Sequence, residues 1–269
     1  MEQQNNQYHS DIQNKLENGY IFDYRKYISQ GFEFMKLNFM HLLTFSIFYF
    51  FSSLLFVGLG GQITLFFQLI LLPVITAGFY YVIRKRDLGL KPDFHDYFKG
   101  FSRILSLFVG NILQSIFISM TFGYLLFWII KQLPDKNAME MFQINPTMEM
   151  VFKFTIFPGL YLLVASLFMI PFIIFRKMTF LHAMESSRLL ITKQFFQVLL
   201  FLIIIVAIPI GGILIFGQIL ILILGQIGAI IGIFTILLIA FPFSYSCFYF
   251  AFKDLMPIQD EYNRQEQDF

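Results

Sequence analysis

Charge is missing from most of this chain. Four stretches, Leu37–Ile83, Ile104–Ile130, Phe154–Phe175 and Gln194–Phe252, run for 47, 27, 22 and 59 residues without Asp, Glu, Lys or Arg. Charged residues make up 13% of the sequence, against about 25% in soluble domains. Cysteine is reduced to Cys247, which excludes an intramolecular disulfide and leaves the redox compartment open. Histidine is sparse and dispersed at His9, His41, His95 and His182. A metal enzyme needs three or four ligands converging at about 2.0–2.2 Å. The nearest approach here is His182-x2-Glu185, and Arg188, three residues further on, is a simpler partner for Glu185. His95 lies between Asp93 and Asp96, a setting that can orient a base, but the pattern puts it on a solvated face, with Asp93 after Pro92 as a helix N-cap. No Gly-x4-Gly-Lys-Ser/Thr occurs, so no phosphate loop is expected. The first 36 residues lack the apolar core, about 7–15 residues long, of a secretory signal peptide. We expect no catalytic constellation, metal or cofactor.

Apolar residues fill the space that charge leaves. They account for 57% of the chain, with 38 phenylalanines. A soluble fold could not hide so much apolar surface without associating. A spanning helix needs about 20 apolar residues, so the four stretches divide into two, one, one and two spans. The sequence predicts an all-α, polytopic six-transmembrane-helix bundle over residues 20–255. Residues 1–19 read as a polar, disordered arm and residues 256–269 as an acidic tail. Sixteen of the nineteen basic residues fall on one side of this arrangement, leaving Lys131, Lys136 and Lys153 on the other. The positive-inside bias therefore places both termini in the cytoplasm.

The reversals inside the long stretches have to be read without charges. Gly58-Leu59-Gly60-Gly61 breaks the first, giving Met40–Leu59 and a return from about Thr64 to Ile83. In the last, Gly211-Gly212, Gly217-Gln218 and Gly225-Gln226 all qualify, and the distance back from Lys253 favours Gly225-Gln226. Lys131–Lys153 forms the one sizeable external loop. Each hairpin follows a segment of helical periodicity. Ile21, Tyr24, Ile28, Phe32 and Met35 precede the first; Phe94, Tyr97, Phe98 and Phe101 precede the second; Phe180, Met184, Ser187, Ile191 and Phe195 precede the third. These patterns fit amphipathic helices at the cytoplasmic interface, with aromatics towards acyl chains. Helix ends repeat too, as Pro73-x5-Phe79-Tyr80-Tyr81-x2-Arg84 and Pro242-x5-Phe248-Tyr249-Phe250-x2-Lys253. Three helix-plus-hairpin units account for this spacing, and so does convergence of anchored helix ends on aromatic and basic residues.

Several of these residues carry a resemblance. Gly78, Arg84-Lys85-Arg86 and Asp96-Tyr97-Phe98-Lys99-Gly100-Phe101, together with Pro158-Gly159-x-Tyr161 and Ala183-x3-Ser187-x2-Leu190-x-Thr192-Lys193, resemble a bacterial group of six-helix integral membrane proteins. That group is related to the membrane domain of glycerophosphoryl diester phosphodiesterases. Gln194 stands where the group usually turns on glycine. The resemblance covers about residues 20–255 and implies a membrane module whose catalytic domain, where one exists, is a separate soluble barrel.

Candidate site residues follow from the interface reading. Phe94, Tyr97, Phe98 and Phe101, with Arg84, Lys85 and Arg86, are expected to contact lipid. Gly228-x3-Gly232 offers small-x3-small spacing for helix packing within one bundle, or for dimerisation. Basic clusters beside spans suit anionic lipid and topology better than nucleic acid. Polar residues within the spans, Gln62, Gln68, Asn111, Gln114, Gln218, Gln226, Ser244 and Ser246, are uncharged, whereas coupled transporters generally need an ionisable group at that depth. Three functions are open: a non-enzymatic module contacting lipids, a protein partner or a second copy; a carrier or channel for an uncharged or lipidic substrate; and, least supported, an enzyme acting on a hydrophobic substrate.

Overall fold

A computed structural model of the protein describes residues 12–258 apart from 59 and 133–145. Among the described residues all regular structure is helical. A short helix α1 (12–18) leads to α2 (Tyr24–Leu37) and α3 (Phe39–Gly58). Next come α4 (Gly61–Phe66), a π-helical turn (Phe67–Leu71) and α5 (Leu72–Asp87). A 3-10 helix (Phe94–Arg103) runs into α6 (Ile104–Gln132), followed by α7 (Pro146–Ala165) and α8 (Met169–Phe175). The chain finishes with α9 (Phe180–Lys193), α10 (Phe195–Leu224) and α11 (Gln226–Leu255). Five stretches are long and apolar enough to cross a membrane, and α2 with α3 passes the same test as a pair bent by 91°. The protein is an all-α polytopic membrane bundle of five spans, or six when the bent pair counts as one.

Glycine sets the two tight reversals. Gly60 has φ 101° and Gly225 φ 62°, values that an L side chain rarely adopts. The last hairpin therefore turns at Gly225-Gln226, as its distance from Lys253 predicts. Most of the expected outer loop, together with the two chain ends, lies outside the described residues. Two departures from the expected boundaries appear. Residues 12–18 belong to the fold rather than to a polar arm, because the four-residue spacing of Ile12 and Leu16 gives α1 an apolar edge, and Ile12 is buried in the core. At the other end Met256 is also buried, extending the bundle past residue 255.

Two spans are interrupted just before a proline, whereas Pro158, Pro209 and Pro242 sit inside continuous helices. Pro73 cannot bond the Leu69 carbonyl, and the chain makes a π-turn just before it. Asn111 of α6 donates from Nδ2 to the Gln68 and Leu69 carbonyls at 3.0 and 3.3 Å. A second break, Ser166–Phe168, precedes Pro171, and Gln114 donates to the Ser166 carbonyl at 3.3 Å. Two of the span amides thus satisfy broken backbone in a medium without water.

Three units close into a ring. Each consists of a lead-in helix (α2, the 3-10 helix or α9), an outgoing span (α3, α6 or α10) and a return (α5, α7–α8 or α11). Every lead-in packs on the return of another unit: α2 on α11, the 3-10 helix on α5, and α9 on α7 and α8. Small residues permit the approach. A Cβ at Gly31 would meet the Cys247 backbone, and one at Gly78 or Gly100 would overlap the Tyr97 or Val74 carbonyl. At the third contact Ser187 Oγ donates to the Ala165 carbonyl at 2.6 Å and accepts from the Phe168 amide at 3.1 Å. Aromatic rings fill the centre. Phe45 of α3 stacks on Phe79 at 4.5 Å and on Tyr97 at 5.0 Å, and Tyr245 lies 4.5 Å from Phe241. Such pairs add about 0.5–1.5 kcal/mol each beyond their area.

Candidate functional site

Two of the three lead-in helices begin alike, while α9 starts after Thr179 without a side-chain cap. Asp23 caps α2, accepting from the Lys26 amide at 3.1 Å. Asp93 opens the 3-10 helix in a capping box with Asp96, whose Oδ2 accepts from the Asp93 amide at 2.7 Å. Three residues past each cap stands the residue that joins the lead-in to its neighbour. Asp96 binds Lys85 at 2.7 Å, and Lys26 binds Asp254 at 2.5 Å. Lys85 and Asp254 each lie 12 residues past the helix proline, Pro73 or Pro242. The same ion pair therefore recurs with its charges exchanged.

Burial separates the two copies. Asp96 is 2% exposed and Lys85 12%, and Lys99 Nζ approaches the carboxylate from the other side at 2.8 Å. Burial alone would raise the Asp96 pKa, but hydrogen bonds from Lys85, Lys99 and the Asp93 amide outweigh it and hold the carboxyl below its ordinary range. Lys26 and Asp254 are 44% and 38% exposed, with Tyr27 Oη donating to Asp254 at 2.7 Å. Nearby, Asp87 accepts from Tyr249 Oη at 2.8 Å and Lys253 Nζ at 2.6 Å, joining the ends of α5 and α11.

This geometry divides the residues singled out for lipid contact. Phe94 is 70% exposed and Phe101 is also exposed, whereas Tyr97 stacks inward on Phe45 and Phe98 lies 6.3 Å from Phe48. Among the cations, Lys85 is committed to Asp96 and Arg84 sits 5.6 Å over the Phe175 ring, while Arg86 is half-buried. The predicted apolar stripe before the first span is split: Ile21, ahead of α2, and Phe32 face outward, while Met35 joins Tyr27, Gly31 and Phe34 on the buried face. Gly228 and Gly232 serve the last hairpin. A Cβ at Gly228 would overlap the Leu220 carbonyl, and one at Gly232 would lie 3.1 Å from Gly217 Cα, both in α10.

The described histidines join no cluster that could hold a metal. His182 Nδ1 lies 2.8 Å from Thr179 Oγ1, and Glu185 is held by Arg188 at 2.6 and 2.7 Å, which lowers its pKa. His95 is exposed, while Asp96 turns away to its two lysines. Among the described residues no group of three His, Cys, Asp or Glu could hold a metal ion.

Two cavities are shaped by residues that sequence reasoning did not bring together. The first is an apolar groove of about 350 Å³ between α2, α10 and α11. Phe32 and Met35 form one wall, Pro209 and Gly212 the floor, and Ile239 and Phe243 the other wall. Its signal in the sequence was the proline and glycine inside an otherwise unbroken apolar helix. The second, about 710 Å³, lies where α1, the end of α8 and the end of α11 meet, and Lys15, Arg176 and Asp254 line it. Nothing in the linear spacing linked these three. No protein-family model, curated protein or solved structure matches the chain.

Proposed function

We propose that this protein is a non-enzymatic, multi-pass module of the cytoplasmic membrane that holds membrane lipid by its acyl chains, with both termini in the cytoplasm. The groove between α2, α10 and α11 carries this reading. Its described walls are apolar, it opens beside the exposed Phe32, and its volume lies within the roughly 300–1,000 Å³ of ligand pockets. A groove open to a bilayer is filled by hydrocarbon, and because the chain is already out of water it is held by close packing against the walls. The right-angled meeting of α2 and α3 supports α2 as an amphipathic helix along the membrane surface, with Ile21 and Phe32 towards lipid. The basic-residue asymmetry supports the orientation. A channel or carrier has less support, because Asn111 and Gln114, amides at span depth, are used on interrupted backbone.

Photolabelling tests the reading. Protein in vesicles containing phosphatidylcholine with a photoreactive acyl chain should crosslink within 24–37, 195–224 and 226–255. Filling the groove with Ala240→Trp should reduce that yield, because the indole takes the space that a chain would occupy. Crosslinks spread evenly over all apolar helices, and unchanged by Ala240→Trp, would reject specific lipid holding.

A further inference from the structure

We propose that the three corners where the lead-in helices enter their spans bind anionic phospholipid headgroups. A cation stands in the last turn of each lead-in: Lys36 on α2, Arg103 on the 3-10 helix and Lys193 on α9. The outgoing span starts within three residues of each, at Phe39, Ile104 and Phe195. Each cation is also the last charge before one of the charge-free stretches, so it marks the level at which the chain enters hydrocarbon.

These corner cations differ from their neighbours in how they are partnered. Lys26, Lys85, Lys99, Arg188 and Lys253 each lie 2.5–2.8 Å from a carboxylate oxygen. Among the described residues, the side chains of Lys36, Arg103 and Lys193 form no ion pair and no hydrogen bond. Lys36 and Lys193 are exposed and Arg103 is half-buried. Glu33, an exposed carboxylate one turn before Lys36, makes the field at the first corner the weakest of the three. Beside each cation an apolar side chain faces outward: Leu37, Leu105 and Phe196 are 84%, 73% and 83% exposed. A cation next to bare apolar surface suits an amphiphile, with its anionic headgroup on the one and its acyl chain along the other. Free phosphate would leave the apolar side chain uncovered, and a zwitterionic headgroup would leave the cation without a net counter-charge. The corners belong to three different units of the ring, so each takes its own lipid. The Arg84-Lys85-Arg86 run is not equivalent, because Asp96 holds Lys85 and the Phe175 ring lies under Arg84. The proposal concerns headgroups and does not rest on an acyl chain being held in the apolar groove.

The test uses full-length protein in nanodiscs of phosphatidylcholine and phosphatidylglycerol in equal amounts, with identical acyl chains. After transfer to mild detergent, native mass spectrometry counts the retained lipid of each class. Identical chains make the groove blind to the choice, so enrichment of phosphatidylglycerol reports on headgroups alone. Wild type should retain phosphatidylglycerol in preference to phosphatidylcholine, at up to one per corner. Lys36→Gln, Arg103→Gln and Lys193→Gln should each remove one retained phosphatidylglycerol and lower the enrichment by up to about fivefold, the equivalent of about 1 kcal/mol per cation. Lys91→Gln removes another exposed charge, from the turn between α5 and the 3-10 helix, and should change neither count nor enrichment. Absence of enrichment in wild type overturns the proposal. So does a loss with Lys91→Gln equal to that at the corners, which would make net charge the cause. Salt supplies a measurement that needs no variant to fold. At about 1 M, where charges are screened within about 3 Å, the wild-type enrichment should vanish, and its persistence would overturn the proposal.

Discussion

Replacing Asp96 by Asn tests the ring contact most sharply. The substitution keeps the side-chain shape and one acceptor but removes the charge that two ammonium groups share. Lys85, at 12% exposure and 2.7 Å, would lose its close, buried counter-charge and keep the exposed Asp93 carboxylate at 3.6 Å, whereas Lys99 is 39% exposed and can turn to water. Breaking a buried pair by removing one partner costs about 3–5 kcal/mol, and the exposure of Lys99 puts this case near the lower end. The related contact provides an internal control. Asp254→Asn disrupts a pair in which both groups are more than a third exposed, so its Coulombic cost is about 0–1 kcal/mol. At about 2–4 °C per kcal/mol, Asp96→Asn should lower the melting midpoint of purified protein in detergent by about 6–12 °C, and Asp254→Asn by at most about 4 °C. The assay is loss of the monodisperse peak in size-exclusion chromatography after heating. Equal shifts for the two variants would refute the argument from burial. A negligible shift for Asp96→Asn would show that the lead-in helix does not depend on this pair.

Other perturbations address separate parts of the account. Gly78→Ala places a methyl group against the Tyr97 carbonyl and should destabilise by about 1–3 kcal/mol, while Gly61→Ala, with open space around it, should cost less in the same melting assay. Because the Asp96 pKa is depressed in the folded state, its stabilisation is present above the ordinary carboxylate value, about 3.9, and disappears as pH falls through the lower folded value. Wild type should therefore lose melting temperature on acidification below about pH 4, and Asp96→Asn should lose less. In a Cys247→Ala background, Lys91→Cys should resist a membrane-impermeant thiol reagent in intact cells and Asn137→Cys should react, and the reverse pattern would invert the topology.

Helical class, span number and the turn at Gly225 were legible because charge-free length and glycine act locally. The helix-plus-hairpin units were visible in the spacing of Pro73 and Pro242, yet their meaning lay in pairing. Asp96 and Lys26 look unrelated in sequence, and only the ring of lead-ins on returns shows that they hold equivalent positions. The aromatic stripe of the 3-10 helix was read as one face, but tight 3-10 geometry and the approach of Phe45 turn Tyr97 inward and leave Phe94 out. Lys85 reads as a membrane-facing cation until Asp96, 11 residues on, folds back over it. The cavity at Arg176 was illegible, because its walls are more than 70 residues apart along the chain. Of the uncharged polar residues inside the spans, Asn111 and Gln114 donate to broken backbone, a use that their spacing did not show.

Lipid holding is the central claim, and counting lipid through stepwise delipidation tests it most directly. Wild type and Ala240→Trp would be washed in parallel through increasing detergent, and retained phospholipid measured per mole of protein by mass spectrometry. The groove predicts that wild type keeps phospholipid after the variant has lost it, at equal monodispersity and melting temperature. Indistinguishable lipid content for the two proteins at every step would contradict it.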